Sequence, residues 1–235
     1  MWKFLGIGAQ KSGTTWLYEQ FSRHPQLAFP VGKEAHFWNR PHDEAAIASY
    51  ISRINASGAV NGEITPAYGM LPIETIAEIY QYAPQLRLIY LMRNPVERAW
   101  SAALMALQRA EMIINEASDQ WFSDHFHSQG SLMRGDYQTC ITNWRTVFPA
   151  EQLLIERFEE IVNNPERLLN RCFNHVGVNL QSHEQLQQWQ CRVAVFTGPG
   201  YQLRPSLKPI LQSLYKERIE QLSDYLAMDL STWLN

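Results

Sequence analysis

The sequence predicts an α/β fold with a doubly wound, mostly parallel sheet flanked by helices. Short apolar segments alternate along the chain with segments of helical periodicity. This alternation is typical of parallel strands connected by helices that cover the sheet. With 235 residues and 46% apolar composition, the chain is long enough for one well-buried core, and we expect a single domain over residues 1–235.

The individual elements follow from the same patterns. Strands are predicted at residues 3–7, 59–63, 86–92 and 153–157, and the nearly continuous apolar run at 86–92 suits a strand covered on both faces. Helices are predicted at 14–24, 43–54, 72–82, from Pro95 to about residue 109, and at 137–147, 165–176 and 206–226. In such a sheet, the loops that follow the first strand and strand 86–92 should face one crevice.

Composition excludes several classes of protein. The formal charge is −3 and no long basic run exists, so a nucleic-acid partner is not expected. No apolar run is long enough to cross a bilayer, and the apolar stretch at the N-terminus is too short for a signal peptide, so we expect a cytoplasmic protein. Three widely separated cysteines fit reduced thiols and offer no metal-ligand spacing. Nothing in the sequence defines an oligomeric state.

A loop rich in Gly, Ser and Thr joins the first predicted strand to the first predicted helix. It reads Gly8-Ala9-Gln10-Lys11-Ser12-Gly13-Thr14-Thr15-Trp16. Backbone N–H groups at such a junction, together with the helix dipole, bind anions, which makes the predicted fold P-loop-like. In loops that bind nucleoside triphosphates the Lys follows the last Gly, whereas Lys11 precedes Gly13. An ordinary helix start capped by Ser12 or Thr14 explains the same residues equally well.

The segment Lys11-Ser12-Gly13-Thr14-Thr15-Trp16-Leu17 resembles the 5′-phosphosulfate loop of the sulfotransferase family. The donor in that family is 3′-phosphoadenosine-5′-phosphosulfate (PAPS), and its product is 3′-phosphoadenosine-5′-phosphate (PAP). The resemblance implies that Lys11 and the residues Ser12, Gly13, Thr14, Thr15 and Trp16 bind the 5′ end of the donor. Lys11 would also counter the charge that develops on the leaving phosphate. The Trp16 ring either stacks near the adenine or belongs to the core.

A second signature of this family is an Arg at the end of an apolar strand, with a Ser eight positions later. Arg93 and Ser101 match it in type and in spacing. The resemblance implies that both hold the 3′-phosphate of the donor, since a guanidinium forks onto phosphate oxygens and a hydroxyl adds a neutral donor. Taken singly, Arg93 is equally well a surface charge and Ser101 an ordinary helix residue.

Two further segments resemble carbohydrate sulfotransferases of the heparan sulfate type and their bacterial relatives. Glu34-Ala35-His36-Phe37-Trp38 is similar to their Glu-x-His-Phe-Phe, and residues 63–68 to their Glu-Lys-Thr-Pro-Ala-Tyr. This implies that Glu34 is the general base and that His36 is the neighbouring catalytic histidine. A solvated Lys33–Glu34 pair and a packed His36 are the alternatives. Ile64 replaces the Lys of the second pattern, which weakens the case for a sugar-chain acceptor.

The late nucleotide loop of the family corresponds to residues 196–204. This segment is rich in Gly but lacks the family's Lys-Gly signature. Tyr201 and Arg204 are the candidates for closing over the nucleotide, and an ordinary surface loop is the alternative. Residues 110–130 are the candidate lid over the acceptor.

The resemblance spans residues 4–176 and implies transfer of a sulfuryl group from PAPS to a hydroxyl or amine. The acceptor is a small molecule or a carbohydrate, and no metal is required because Lys11 can neutralise the leaving oxygen. A P-loop kinase of a small alcohol is one alternative, although it would need magnesium and an acidic residue at the end of a neighbouring strand. A noncatalytic nucleotide-binding module is the other.

Overall fold

A computed structural model describes residues 1–193 and 200–234. Within these residues five strands form one sheet with the order β2-β3-β1-β4-β5, and every neighbouring pair is parallel. The strands are β1 (Trp2–Gly8), β2 (Leu27–Ala28), β3 (Val60–Ile64), β4 (Arg87–Met92) and β5 (Leu153–Arg157). The predicted α/β fold with a parallel sheet is confirmed.

Helices connect the strands, and further helices follow the last strand along the chain. They are α1 (Thr14–Phe21), α2 (Glu44–Ile54), α3 (Ile73–Tyr82), α4 (Pro95–Arg109), α5 (Asp119–His127), α6 (Gln129–Gly135), α7 (Tyr137–Val147), α8 (Glu159–Asn163), α9 (Pro165–Val176), α10 (His183–Gln188) and α11 (Lys208–Leu226). Short 3-10 turns occupy Phe37–Asn39, Pro66–Met70, Ala150–Gln152 and Ser231–Leu234. Among the described residues, no helix combines the length and apolar character needed to span a membrane.

Strand β4 lies in the interior of the sheet and is covered on both faces. Its residues 88–92 are each at most 1% exposed, although alternate side chains of a strand point to opposite faces. This is why the sequence reads as an unbroken apolar run there. The prediction of this strand is confirmed except for its first residue.

A hydrophobic core cluster covers one face of the sheet. Side chains from β1, β3 and β4 pack there against α1, α8, α9 and α10. The strands contribute Phe4, Ile64, Ile89 and Leu91, all of them buried. Burial of each such side chain stabilises the fold by about 1.5–3 kcal/mol relative to exposure.

Helix α1 ends at Phe21, three residues before the predicted end. Pro25 disfavours the helical conformation for His24, the residue before it. Residues 22–24 form a turn instead, and the His24 ring bonds to the backbone oxygen of Asn179 at 2.9 Å. The two-residue strand β2 follows and carries too little periodicity to be predicted.

The chain divides into two compact units. The first, Met1–Met92 and Ile141–Phe196, contains the whole sheet. The second, Arg93–Cys140 and Thr197–Asn235, contains α4, α5, α6 and α11. A single domain over residues 1–235 stays a prediction.

All three cysteines of the chain are free and buried. They are Cys140, Cys172 and Cys191. Burial raises the pKa of the Cys172 thiol well above its ordinary value. The free thiols agree with the reduced state that their spacing predicts.

Candidate active site

Backbone hydrogen bonds tie the segments that follow the strands to neighbouring strands in the first unit. The N–H groups of Ala9, Glu34, Thr65 and Phe158 donate to the oxygens of Leu91 (2.7 Å), Ile64 (3.0 Å), Gly6 (2.9 Å) and Met92 (2.6 Å) respectively. Each bond fixes a loop at the carboxyl edge of the parallel sheet, which is where ligands bind in this class of fold. The loop at residues 8–13 and the segment that contains Glu34 therefore start from fixed positions at the same edge.

Helix α1 begins without a side-chain cap. Its N-cap is Gly13, which adopts the left-handed conformation with φ 86° and has no side chain to offer. The first turn contains no acidic residue. The alternative of an ordinary cap by Ser12 or Thr14 is therefore wrong, and the N–H groups of the first turn have no capping side chain as a partner. Such a helix start favours binding of an anion.

Ser12 adds a buried polar atom to this loop. The residue is 0% exposed, and its hydroxyl oxygen has no hydrogen-bond partner within the described part of the chain. Buried hydroxyls are normally hydrogen-bonded, because leaving one unpaired costs about 1–3 kcal/mol. A ligand with oxyanion oxygens at the start of α1 would satisfy it.

Gly13 packs closely against the segment that follows β5. A Cβ atom added to Gly13 would lie 2.3 Å from Cδ1 of Ile161 and 3.1 Å from Cδ2 of Phe158. The loop backbone therefore lies where only glycine fits, for reasons of both conformation and space.

Replacement of Gly13 by Ala should destabilise the fold by about 2–4 kcal/mol, because backbone strain and overpacking add. Gly177→Ala is the matched control, since Gly177 has φ 77° but open space where the Cβ would lie. That variant should lose only about 1 kcal/mol. Urea unfolding of both variants measures the difference, and equal losses would show that the contact with Ile161 contributes nothing.

The three residues predicted to be catalytic share an unusual backbone conformation. Lys11, Glu34 and His36 have φ values of 68°, 55° and 53°, and they are three of six non-glycine residues with positive φ in the described part of the chain. Such residues are uncommon and concentrate at functional sites, where the surrounding structure holds them in place. This conformation has no signal in the sequence, because none of the three is glycine.

The side chains of Glu34 and His36 lie close together. His36 Nε2 is 3.7 Å from Glu34 Oε2, and the other ring nitrogen of His36 bonds to Asn39 Oδ1 at 2.9 Å. Lys33 also donates to the Glu34 carboxylate. The Glu34 side chain is 43% exposed, so its carboxylate remains accessible to an acceptor molecule. The Lys33–Glu34 pair of the alternative interpretation exists, but it is combined with a histidine contact.

A buried carboxyl group that we did not predict lies in the same unit. Glu63 is 0% exposed and accepts hydrogen bonds from the hydroxyls of Tyr50 and Thr65. The hydroxyl of Tyr68 accepts the N–H of Trp38 at 3.3 Å. Burial raises the pKa of Glu63, and hydrogen bonds from Thr65, Tyr50 and Tyr68 oppose that rise. This network holds the turn after His36 against the end of β3. In the sequence, the only indication of this network was the resemblance of residues 63–68 to the carbohydrate sulfotransferases.

Ile64 occupies the position of the family's lysine. Its side chain is fully buried in the core cluster and packs against Gly6. A polar contact from this position to donor or acceptor is therefore absent, as its sequence implies.

Arg93 and Ser101 belong to the second unit, at the start and in the middle of α4. Asn94 caps this helix by accepting the N–H of Val96 at 3.0 Å. The guanidinium of Arg93 donates from Nε (3.0 Å) and Nη2 (2.8 Å) to the Glu97 carboxylate. A phosphate at Arg93 would thus have to compete with Glu97. Binding of the 3′-phosphate by Arg93 and Ser101 stays a prediction.

Arg204 is occupied by bonds within the second unit. It donates to Asp119 Oδ1 (2.6 Å) and to the backbone oxygens of Ile114 (2.7 Å) and Ala117 (2.9 Å), and it lies over the Phe122 ring at 4.8 Å. These bonds fix the segment before α5. They give no support to the prediction that Arg204 binds the nucleotide.

Tyr201 remains a candidate for the nucleotide loop. Its side chain is exposed, and its backbone oxygen accepts the indole N–H of Trp100 at 2.8 Å. Residues 196–199 of the predicted loop lie outside the described residues. Contact between Tyr201 and the nucleotide stays a prediction.

The Trp16 side chain belongs to the core. It is buried, and its indole N–H donates to the Cys191 backbone oxygen at 2.9 Å. Stacking of this ring near an adenine and binding of an anion by the Trp16 backbone N–H both stay predictions.

No metal centre accompanies these groups. Within residues 1–193 and 200–234, no three His, Cys, Asp or Glu side chains stand close enough together to hold a metal ion.

Residues 3–193 match the family described as the sulfotransferase domain. The chain therefore belongs to the sulfotransferase domain family. It is 27% identical over 177 residues to heparan sulfate glucosamine 3-O-sulfotransferase 6 of Mus musculus, covering 73% of this chain and 51% of that protein. The chain thus spans about half the length of the curated relatives it matches.

Two solved structures share the fold. A sulfotransferase from Alicyclobacillus acidocaldarius superposes with a TM-score of 0.75 at 23% identity, covering 100% of this chain and 99% of that one. Mouse sulfotransferase SULT7A1 complexed with PAP gives a TM-score of 0.63 at 15% identity, covering 96% and 88%. At these identities the likeness establishes the fold, while the family is established by the match over residues 3–193.

Proposed function

We propose that this chain transfers a sulfuryl group from PAPS to an acceptor hydroxyl or amine by in-line displacement. The observation that carries the proposal is the start of α1, where Gly13 is an uncapped N-cap beside the buried, unpartnered hydroxyl of Ser12. These groups fit the 5′-phosphosulfate of the donor, since that end of the molecule presents several anionic oxygens to N–H and O–H donors. Membership of the sulfotransferase domain family supplies the chemistry.

The chain's own residues divide the work of holding the donor. When bound, PAPS supplies an activated sulfuryl group on a phosphate leaving group. Lys11 and the N–H groups of residues 12–16 would hold the 5′ end, and Lys11 would stabilise the negative charge that develops on the leaving oxygen. Arg93 and Ser101 would hold the 3′-phosphate. The PAP complex of the structurally similar mouse SULT7A1 supports this choice of nucleotide.

Glu34 would accept the proton of the acceptor. Its carboxylate is accessible, and its backbone is fixed by the bond from its N–H to Ile64 at the edge of the sheet. A positioned carboxylate within hydrogen-bond reach can remove a proton as the oxygen or nitrogen becomes nucleophilic. His36 Nε2 lies 3.7 Å from Glu34 Oε2, beyond hydrogen-bond distance, and would help to orient the Glu34 carboxylate. The buried network around Glu63 keeps this segment in place.

The acceptor is proposed to be a small molecule or a carbohydrate. The name of the mouse relative contains heparan sulfate glucosamine, which favours a sugar, whereas Ile64 removes one polar contact of the carbohydrate enzymes. Residues 110–130 remain the candidate lid, and α5 makes up much of that segment. Reaction without a metal ion and a cytoplasmic location are further parts of this proposal.

Thermal unfolding with three nucleotides tests the proposed donor. At about 100 times its dissociation constant, PAP should raise Tm by about 5–10 °C, because binding to the folded state stabilises it by mass action. ADP should raise Tm less, since it lacks the 3′-phosphate. No rise with PAP would contradict the proposal, and a larger rise with ATP and magnesium would favour the kinase alternative.

Formation of PAP from PAPS with a panel of phenols, amines and saccharides then separates an enzyme from the noncatalytic alternative. We expect turnover with at least one acceptor. We also expect this turnover to be lost in Lys11→Ala. Binding of PAP without turnover across the panel would favour the noncatalytic module.

A further inference from the structure

The second unit contains a fully buried arginine for which the described residues offer no salt-bridge partner. Arg98 of α4 is 0% exposed. Its Nη2 atom lies 3.1 Å from the backbone oxygen of Ser131, 3.4 Å from the hydroxyl of the same residue and 3.2 Å from the Tyr215 hydroxyl. Its Nε and Nη1 atoms have no hydrogen-bond partner among the described residues. Burial of a guanidinium is strongly unfavourable unless its charge is paired and its N–H groups are bonded.

Two further basic side chains, His125 and Arg134, are influenced by the charge of Arg98. Burial lowers the pKa of His125, and the charges of Arg98 and Arg134 lower it further. Burial likewise lowers the pKa of Arg134, followed by the charges of Arg98 and Arg109. His125 Nε2 is a second buried nitrogen without a hydrogen-bond partner in the described part of the chain. The charges of Arg98 and Arg134 therefore repel each other, and the groups that lie within hydrogen-bond distance of Arg98 Nη2 are all neutral.

Four helices bring these groups together. Arg98 comes from α4, His125 from α5, Ser131 and Arg134 from α6, and Tyr215 from α11. We call them the Arg98 cluster. A ligand for this cluster must be negatively charged, because the unpaired groups include cationic N–H donors. It must also be small, because Arg98 is completely covered.

We propose that the Arg98 cluster binds one monatomic anion, of the size of chloride, as a structural ligand of the second unit. Such an ion accepts hydrogen bonds from several N–H groups at once and needs no donor or acceptor in return. An internal water would satisfy the same N–H groups but would leave the charge unbalanced. The proposal does not depend on the proposed sulfuryl transfer, since the cluster contains none of the residues assigned to that reaction.

Thermal unfolding at constant ionic strength tests the proposal. With chloride replaced stepwise by gluconate, Tm should fall, and it should rise by about 3–5 °C for each tenfold increase in chloride above the dissociation constant. Bromide should act like chloride. Sulfate is expected to raise Tm through the anion site at the start of α1 and through exclusion from the protein surface, so its effect should be the same in the wild type and in Arg98→Met. Arg98→Met retains the length of the side chain without its charge and should abolish the dependence. Arg53→Met, which removes an exposed charge on α2, should preserve it.

Crystals soaked in bromide provide an independent measurement. An anomalous peak beside Nε and Nη1 of Arg98 is expected. A wild-type Tm that does not respond to halide, an equal halide response in Arg98→Met, or no bromide peak would each overturn the proposal. If Arg98→Met fails to fold, the wild-type titration and the bromide soak still decide the question.

Discussion

Replacement of Glu34 by Gln is expected to lower kcat by about 10²–10⁴-fold, because the amide cannot accept the acceptor's proton. The dissociation constant for PAP should stay within about twofold, since the proposed donor contacts come from other residues. Steady-state kinetics and calorimetric titration of PAP measure the two quantities separately. Gln has nearly the same size as Glu, so the substitution should preserve the left-handed backbone conformation of position 34.

Glu220→Gln is the matched control for Glu34→Gln. Glu220 lies exposed on α11, so the same chemical change there should not alter kcat. A Glu34→Gln enzyme with a kcat close to that of the wild type would remove Glu34 from the mechanism. A parallel loss of PAP affinity would instead assign the carboxylate a structural role, consistent with its contacts with Lys33 and His36.

Replacement of Arg93 by Ala is expected to weaken binding of PAP by about 30–100-fold, the loss typical of charge-assisted hydrogen bonds to a phosphate. Binding of ADP should weaken by less than about threefold, because ADP has no 3′-phosphate for the guanidinium to contact. Calorimetric titration of both nucleotides at one ionic strength gives the ratio directly. Equal losses for the two nucleotides would show that Arg93 does not recognise the 3′-phosphate.

The structure supplies a control that the sequence did not suggest. Glu97 accepts hydrogen bonds from Nε and Nη2 of Arg93 and competes with any phosphate for them. Glu97→Gln should therefore bind PAP as tightly as the wild type or more tightly. Weaker binding in this variant would mean that Glu97 holds Arg93 in the orientation that binding requires.

The fold could be predicted because most of its strands have a recognisable pattern in the sequence. β4 is buried on both faces, which requires apolar residues at successive positions, and β5 was predicted at its observed bounds. β2 has only two residues and takes its place through pairing with β3, which is a tertiary effect without local periodicity. The early end of α1 follows from Pro25, whose influence extends further back than one residue.

The candidate site was predictable in residue type but not in geometry. Lys11, Glu34 and His36 were found by motif, yet their left-handed backbones come from the surrounding structure. Trp16 was assigned to the nucleotide by its place in the loop motif, and Arg204 by its place in the late Gly-rich segment. The sequence did not reveal their bonds to residues more than 80 positions away.

The burial of Arg98 could not be predicted from the sequence either. A charged residue in a helix is normally expected to face solvent, so nothing in the sequence marks this one as buried. Its surroundings come from α5, α6 and α11, which lie more than 20 positions away along the chain. Only tertiary structure reveals that its charge is unbalanced.

The burial of every native cysteine has a practical consequence for spectroscopy. Because all three thiols are covered, and burial raises the pKa of Cys172 and Cys191, few reactive thiolates form near neutral pH. A single cysteine introduced at an exposed position such as Gln120 on α5 would then take up a maleimide dye selectively. Fluorescence from that one dye would follow the segment at residues 110–130 as acceptors are added, without first stripping the chain of its natural sulfhydryls.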